Sequence, residues 1–317
     1  MDNSYFYFMR NINKLWILLV ILVAGQAKAQ LKIEGKELLN LPDGHQLIRY
    51  ILPEAGSLQG RNIDIWLPMG LAPDQKLAVI YANDGQNLFD PSNAYGGESW
   101  QLHQTAQQLI ENGTIQPCMI VGIWNSQARF EEYLPSPAFF GLSPTRRVKL
   151  QEERSGEPKS DEYLRWLVSE LKPFIDQQFP TISDVPHTVI MGSSMGGLIS
   201  SYAMAKHPDV FGAAGCLSTH WPLSLKVNDL NNSIAYRQYL LKNLPKSGHH
   251  RLWMDYGTAT LDAWYEPHQK AFDLEIKKLP AWKSAKKYQS KKYPGAAHNE
   301  VAWRERSADV LSFLLAP

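Results

Sequence analysis

The chain has 317 residues, and its 32 lysines and arginines are balanced by 31 aspartates and glutamates for a formal net charge of +1. That balance gives no electrostatic reason to expect a nucleic-acid partner, and the length suffices for one large domain with a single core. Two cysteines, Cys118 and Cys216, each inside an apolar run, read as buried strand thiols rather than a disulfide.

Taken in chain order, the first segment speaks to compartment. Arg10 and Lys14 precede the apolar run Leu15 to Gly25, and Ala27-Lys28-Ala29 supplies the small-x-small pattern cut by signal peptidase. The run is about half of the roughly 20 apolar residues that cross a bilayer, so residues 1–29 read as a cleavable export signal that leaves no stable membrane span. Residues 30–317 then form one periplasmic or secreted domain.

Downstream, HQLIRYIL and RNIDIWLP predict an opening antiparallel pair. KLAVIYAND and CMIVGIWN predict buried parallel strands, and HTVIMGS, AAGCLST, LWMDYGT and KKYPGAAH complete the series. Amphipathic helical patterns at 99–111 and 161–178 fall between them. Strand and helix in alternation predict an α/β protein with a mostly parallel sheet covered on both faces. Ser136 to Ser160, with Pro137, Pro144, Pro158 and Gly141, breaks the rhythm and reads as a loop or lid.

Gly192, Ser194 and Gly196 satisfy GxSxG between a predicted strand and a predicted helix. A nucleophile elbow needs that context, because the serine sits in a strained turn and the following helix aims backbone N–H groups at an oxyanion. A serine hydroxyl also needs a base, and the base an orienting carboxylate, in the order Ser, acid, His. His298, in PGAAHNE, supplies the base. Asp255 and Asp262 compete for the acid, with Asp262 preferred because it follows the Gly257-Thr258 turn. The oxyanion hole is expected from the N–H groups of Met195 and Gln86, the latter in the DGQN loop after the third strand.

Trp124, Trp221 and Trp264 fall at or just after strand C-terminal ends and are candidate substrate-binding walls. Arg146, Arg147 and Lys149 in the lid segment could meet an anionic substrate, although a solvated charged loop is the preferred reading. The histidines show no metal-ligand spacing, so neither a metal nor a cofactor is expected.

Together DGQNLFD, GGESW, the pattern Arg129, Glu132, Tyr133, Leu134 and Pro135, then ELKPFID, GSSMGG, DYGTATLD and PGAAHNEVAWRER resemble the esterase family of α/β hydrolases that includes feruloyl esterases, enterochelin-esterase-like proteins and esterase D. The resemblance implies the α/β-hydrolase fold and cofactor-free hydrolysis of a small-molecule ester (sugar, aromatic acyl or siderophore). It assigns Ser194 as nucleophile, His298 as base and Met195 and Gln86 as the hole. The chain departs from the family where Thr260 and Leu261 intervene before Asp262. An acyltransferase using the same residues and a non-catalytic binding protein are the alternative readings.

Overall fold

A computed structural model describes residues 31–154 and 156–317, so the predicted export signal lies outside the described residues. Nine strands form one sheet in the order β1-β2-β3-β5-β4-β6-β7-β8-β9. They are β1 Gly35–Asn40, β2 Gln46–Leu52, β3 Arg61–Trp66, β4 Ala78–Asn83, β5 Cys118–Ile123, β6 Thr188–Ser193, β7 Ala213–Leu217, β8 Arg251–Tyr256 and β9 Tyr288–Lys292. The first three strands and the β3/β5 junction are antiparallel, and every pairing from β5 through β4 to β9 is parallel.

Strands β4, β5 and β6 are buried along their whole length, as parallel strands covered on two faces must be. Alternation divides their side chains between two cores. Val79 and Tyr81 join one cluster, while Ala78, Ile80 and Ala82 join the other. Helices α1 Leu102–Glu111 and α10 Glu300–Leu314 cover the second face. The first face carries α5 Ser160–Trp166, α6 Lys172–Gln178, α7 Met195–Lys206, α8 Ile234–Asn243 and α9 Glu266–Ile276, with a π-helical turn, Leu167–Leu171, joining α5 to α6. Between β5 and α5 lie α2 Arg129–Tyr133, α3 Ser136–Phe140 and α4 Pro144–Glu153.

Three expectations change. The segment expected as a loop or lid holds α3 and α4, because Pro137 and Pro144 stand in first turns, where proline costs no hydrogen bond, and Ser143 caps α4 by accepting from the Arg146 N–H. Arg146 of that segment pairs with Asp229 at 2.6 Å. The last strand lies earlier than KKYPGAAH, with only Lys291 and Lys292 of that stretch inside it. Strand β1, unpredicted, is a largely exposed edge strand whose sequence lacks clean alternation. Cys118 and Cys216 are buried free thiols, and burial pushes the Cys118 thiol up to about 12.

Candidate active site

Strand β6 delivers Ser194 at the start of α7 with φ 56° and ψ −119°, a conformation that residues other than glycine rarely adopt. Glycines make the turn tight. A Cβ on Gly192 would stand 2.9 Å from the Gly196 carbonyl carbon, and one on Gly196 would stand 3.3 Å from Asp84 Oδ2. Residues 195–205 of the helix are all buried, so the turn is anchored by packing on both sides.

Asp262 sits in the turn Thr260–Trp264 after β8 and is fully buried. Its Oδ1 lies 2.6 Å from His298 Nδ1. Its Oδ2 accepts from Ser218 Oγ at 2.6 Å and from the Gly257 N–H at 2.5 Å. Burial pushes this carboxyl up, but the His298 bond and charge, with the Ser218 and Gly257 donors, overcome that and hold it below the usual carboxylate range. An ionised Asp262 accepts a hydrogen bond from the Nδ1–H, which leaves Nε2 of the neutral imidazole as the free lone pair.

His298 is held from three directions. Its backbone N–H donates to Thr260 Oγ1 at 2.8 Å, and its ring packs edge-on against Trp303 at 5.0 Å and Tyr265 at 5.7 Å. The Tyr265 hydroxyl also lies 2.9 Å from His220 Nδ1. Tyr265 therefore joins the residue expected to act as base to His220. Burial, and then the positive charges around it, keeps His220 well below the ordinary imidazole range, so this neighbour is neutral.

Asp255 does not approach the imidazole. It shares the face of β8 with Trp253, whose Nε1 donates to it at 2.8 Å, and it pairs with Arg306 of α10 at 2.9 Å. Alternation along β8 thus turns Asp255 under α10, and the turn beyond it presents Asp262 to His298.

Met195 opens α7, where the first backbone N–H groups have no partner within the helix. Gln86 lies in the 3₁₀ turn Gly85–Asn87, which follows Asp84 at φ 60°. That turn is braced by α2. Arg129 grips Asp84 through two bonds of 2.7 Å, the Tyr133 hydroxyl accepts the Asp84 N–H at 3.3 Å, and Glu132 locks α2 to Arg61 of β3 through bonds of 2.6 and 2.9 Å. Asn125 adds a bond to Asp84 at 2.6 Å and donates its N–H to the Gln86 side chain at 3.2 Å. The sequence pattern contained Arg129, Glu132 and Tyr133, but their bracing role needs partners far away in the chain. Tyr265, His220, Ser218 and Arg306 were also missed as parts of the site.

The three tryptophans part company. Trp221 is 1% exposed and packed against Tyr236 and Phe272, so it belongs to the core and not to a pocket wall. Trp124 is half-buried, with its Nε1 donating to Asp64 and Arg49 stacked over its ring at 4.5 Å. Trp264 is half-buried in the turn that carries Asp262, two residues beyond the acid.

Comparison with known proteins bears on the fold and the family. An IroE-like serine hydrolase from Shewanella oneidensis superposes with a TM-score of 0.63 at 21% identity, over 84% of this chain and 79% of that one. The ferulic acid esterase AmCE1/Fae1A from Anaeromyces mucronatus gives 0.59 at 17% identity, over 91% and 94%. Both share the α/β-hydrolase fold found here. The Bacillus subtilis protein YbbA is 24% identical over 163 residues, 51% of this chain and 58% of that protein. The curated relatives are matched over 22–58% of their own length. Residues 58–313 match the family model described as "Putative esterase", and with most of its length so matched the chain belongs to that esterase family.

Proposed function

We propose that the protein is a serine carboxylic ester hydrolase working through an acyl-enzyme. The single observation that carries this reading is the 2.6 Å bond from His298 to Asp262 beside the strained elbow of Ser194, in a chain of the esterase family. Ser194 Oγ attacks the ester carbonyl while His298 Nε2 takes its proton, and the N–H groups of Met195 and Gln86 stabilise the oxyanion. His298 returns the proton to the leaving alcohol. Water, deprotonated by the same nitrogen, then attacks the acyl-enzyme, releasing the acid and restoring Ser194. Trp264 and Trp124, half-buried just beyond β8 and β5, suit an aromatic acyl group, and the likeness to a ferulic acid esterase supports that choice over an aliphatic one.

Ser194→Ala, with Ser193 intact, tests the reading. Hydrolysis of a feruloyl or p-nitrophenyl ester should fall by roughly a millionfold, and fluorophosphonate labelling should vanish. Turnover above about one per cent of the parent would reject Ser194 as nucleophile. We further propose export, on the strength of Arg10, Lys14, the apolar run and Ala27-Lys28-Ala29. N-terminal sequencing of the protein from its native host should begin at Gln30.

A further inference from the structure

Behind Asp262 lies a second buried carboxylate with a buried guanidinium. Ser218, at φ 44° after β7, connects the two acids. Its Oγ accepts from Trp303 Nε1 at 2.9 Å and from Arg306 Nη2 at 2.5 Å. With both lone pairs so used, its single proton is committed to Asp262 Oδ2 at 2.6 Å. The Ser218 N–H meanwhile donates to Asp255 Oδ1 at 3.1 Å. Arg306 Nη2 stands 2.9 Å from Asp255 and 3.8 Å from Asp262, and its side chain is 1% exposed.

Burial and the neighbouring Asp262 charge push the Asp255 carboxyl up, and the donors Trp253, Ser218 and Arg306 oppose that by favouring its ionised form. A second negative charge beside the acid partner of His298 is costly unless a cation offsets it. The guanidinium supplies that cation from α10, next to Trp303, which braces the imidazole. The other groups facing this cluster are Tyr265 and His298, the Tyr293 ring 5.0 Å from the guanidinium with its Asp309 and Lys291 partners, and the Cys216 thiol on β7.

We propose that Asp255 and Arg306 are positioning residues for the reaction: acting through Ser218, they keep Asp262 ionised and turned toward His298, and they set the pH at which hydrolysis begins. The proposal rests on the reading of Ser194, Asp262 and His298 given above. Neither residue touches substrate. Because their charges are opposite, removing one or the other biases His298 in opposite directions, which a merely structural contact does not do.

The experiment compares Asp255→Asn, Arg306→Met and the double variant by kcat/KM of a p-nitrophenyl ester from pH 4.5 to 9, with fluorophosphonate titration counting competent sites. In Asp255→Asn the uncompensated guanidinium opposes imidazolium, so the acid limb of the profile should move to lower pH by about half a unit or more. Arg306→Met should move it to higher pH, and the double variant should return it toward the parent value. Acid limbs that stay in place in both single variants, whatever happens to the rate, would overturn the proposal. If Arg306→Met does not fold, Asp255→Asn alone decides by the presence or absence of its shift. Failure of the parent enzyme to be labelled at Ser194 would instead reject the catalytic reading, a result distinguishable from an unmoved limb in labelled protein.

Discussion

At Thr260, a β-branched residue occupies a positive φ of 52°, a conformation that costs of order 1–3 kcal/mol. Its Oγ1 is the acceptor that fixes the His298 backbone N–H, and Asp262 follows two residues later. Strain at Thr260 and at Ser194 therefore brackets the same imidazole. The carboxylate paired with that imidazole is Asp262: one oxygen holds Nδ1 and the other is pinned by two donors, so it cannot rotate without breaking a bond. Asp262→Asn places an amide where an acceptor is needed and disfavours the productive tautomer. We expect kcat to fall by roughly ten thousandfold in protein that still folds, whereas Asp255→Asn should stay within about tenfold of the parent at its own pH optimum. Steady-state rates of both variants on one ester check this. Comparable losses in the two would mean that the acids share the role.

Among the elements, the turn leaving β8 is the one whose backbone decides the site. A Cβ on Gly257 would stand 2.1 Å from the Ala296 carbonyl oxygen and 2.9 Å from Asp262 Oδ2, and that carbonyl also accepts the N–H groups of Thr258 and Ala259 at 3.0 Å. The acid turn and the His298 loop are thus zipped together through Ala296. Gly257→Ala should wedge them apart, costing about 1–3 kcal/mol of stability and at least tenfold in kcat. A variant that melts and turns over like the parent would show that the two loops move apart freely. The glycine was visible in the sequence as part of a turn, but its neighbour at position 296 was not. The same divide runs through the whole site. The elbow of Ser194, the loop of His298 and the turn of Asp262 were readable because elbow spacing, chain order and a turn signal are local. The Asp84 to Arg129 and Asp255 to Arg306 pairs join residues 45 and 51 positions apart, and only the sheet order brings them together. Prolines 137 and 144 suggested a loop because they break helices from inside, yet both stand where helices begin. Trp221 was misplaced for a related reason: a residue just past a strand end can dive under the next loop as readily as it can face a ligand.

For the molecule as a whole, burial of histidine governs the response to acid. His268 is 1% exposed, and burial, then the charge of Arg237, pushes it down to about 4; burial also lowers His103, His207 and His220. In each the folded value lies below the unfolded value of about 6.5, so the native state favours the neutral ring. The associated stability is fully present above about pH 6.5 and is lost as pH falls toward the folded value. For His268 the interval from about 6.5 to about 4, at 1.36 kcal/mol per unit, amounts to ~3 kcal/mol. Asp262, Asp43 and Asp161 have lowered values, so their contribution survives to about pH 4 and disappears only below it. Asp255 and Glu300, raised chiefly by burial, act in the other direction and lose stability as pH rises through their folded values. Four histidines against two acids leave a net loss on acidification. The melting temperature should therefore fall between pH 6.5 and 4.5, before the lowered carboxylates titrate, and His268→Gln should flatten that slope while leaving the further collapse below pH 4 unchanged. Calorimetry of both proteins across pH 4 to 8 measures this, and a parent melting temperature that is level from pH 6.5 to 4.5 would show that the buried rings accept protons at no cost to the fold.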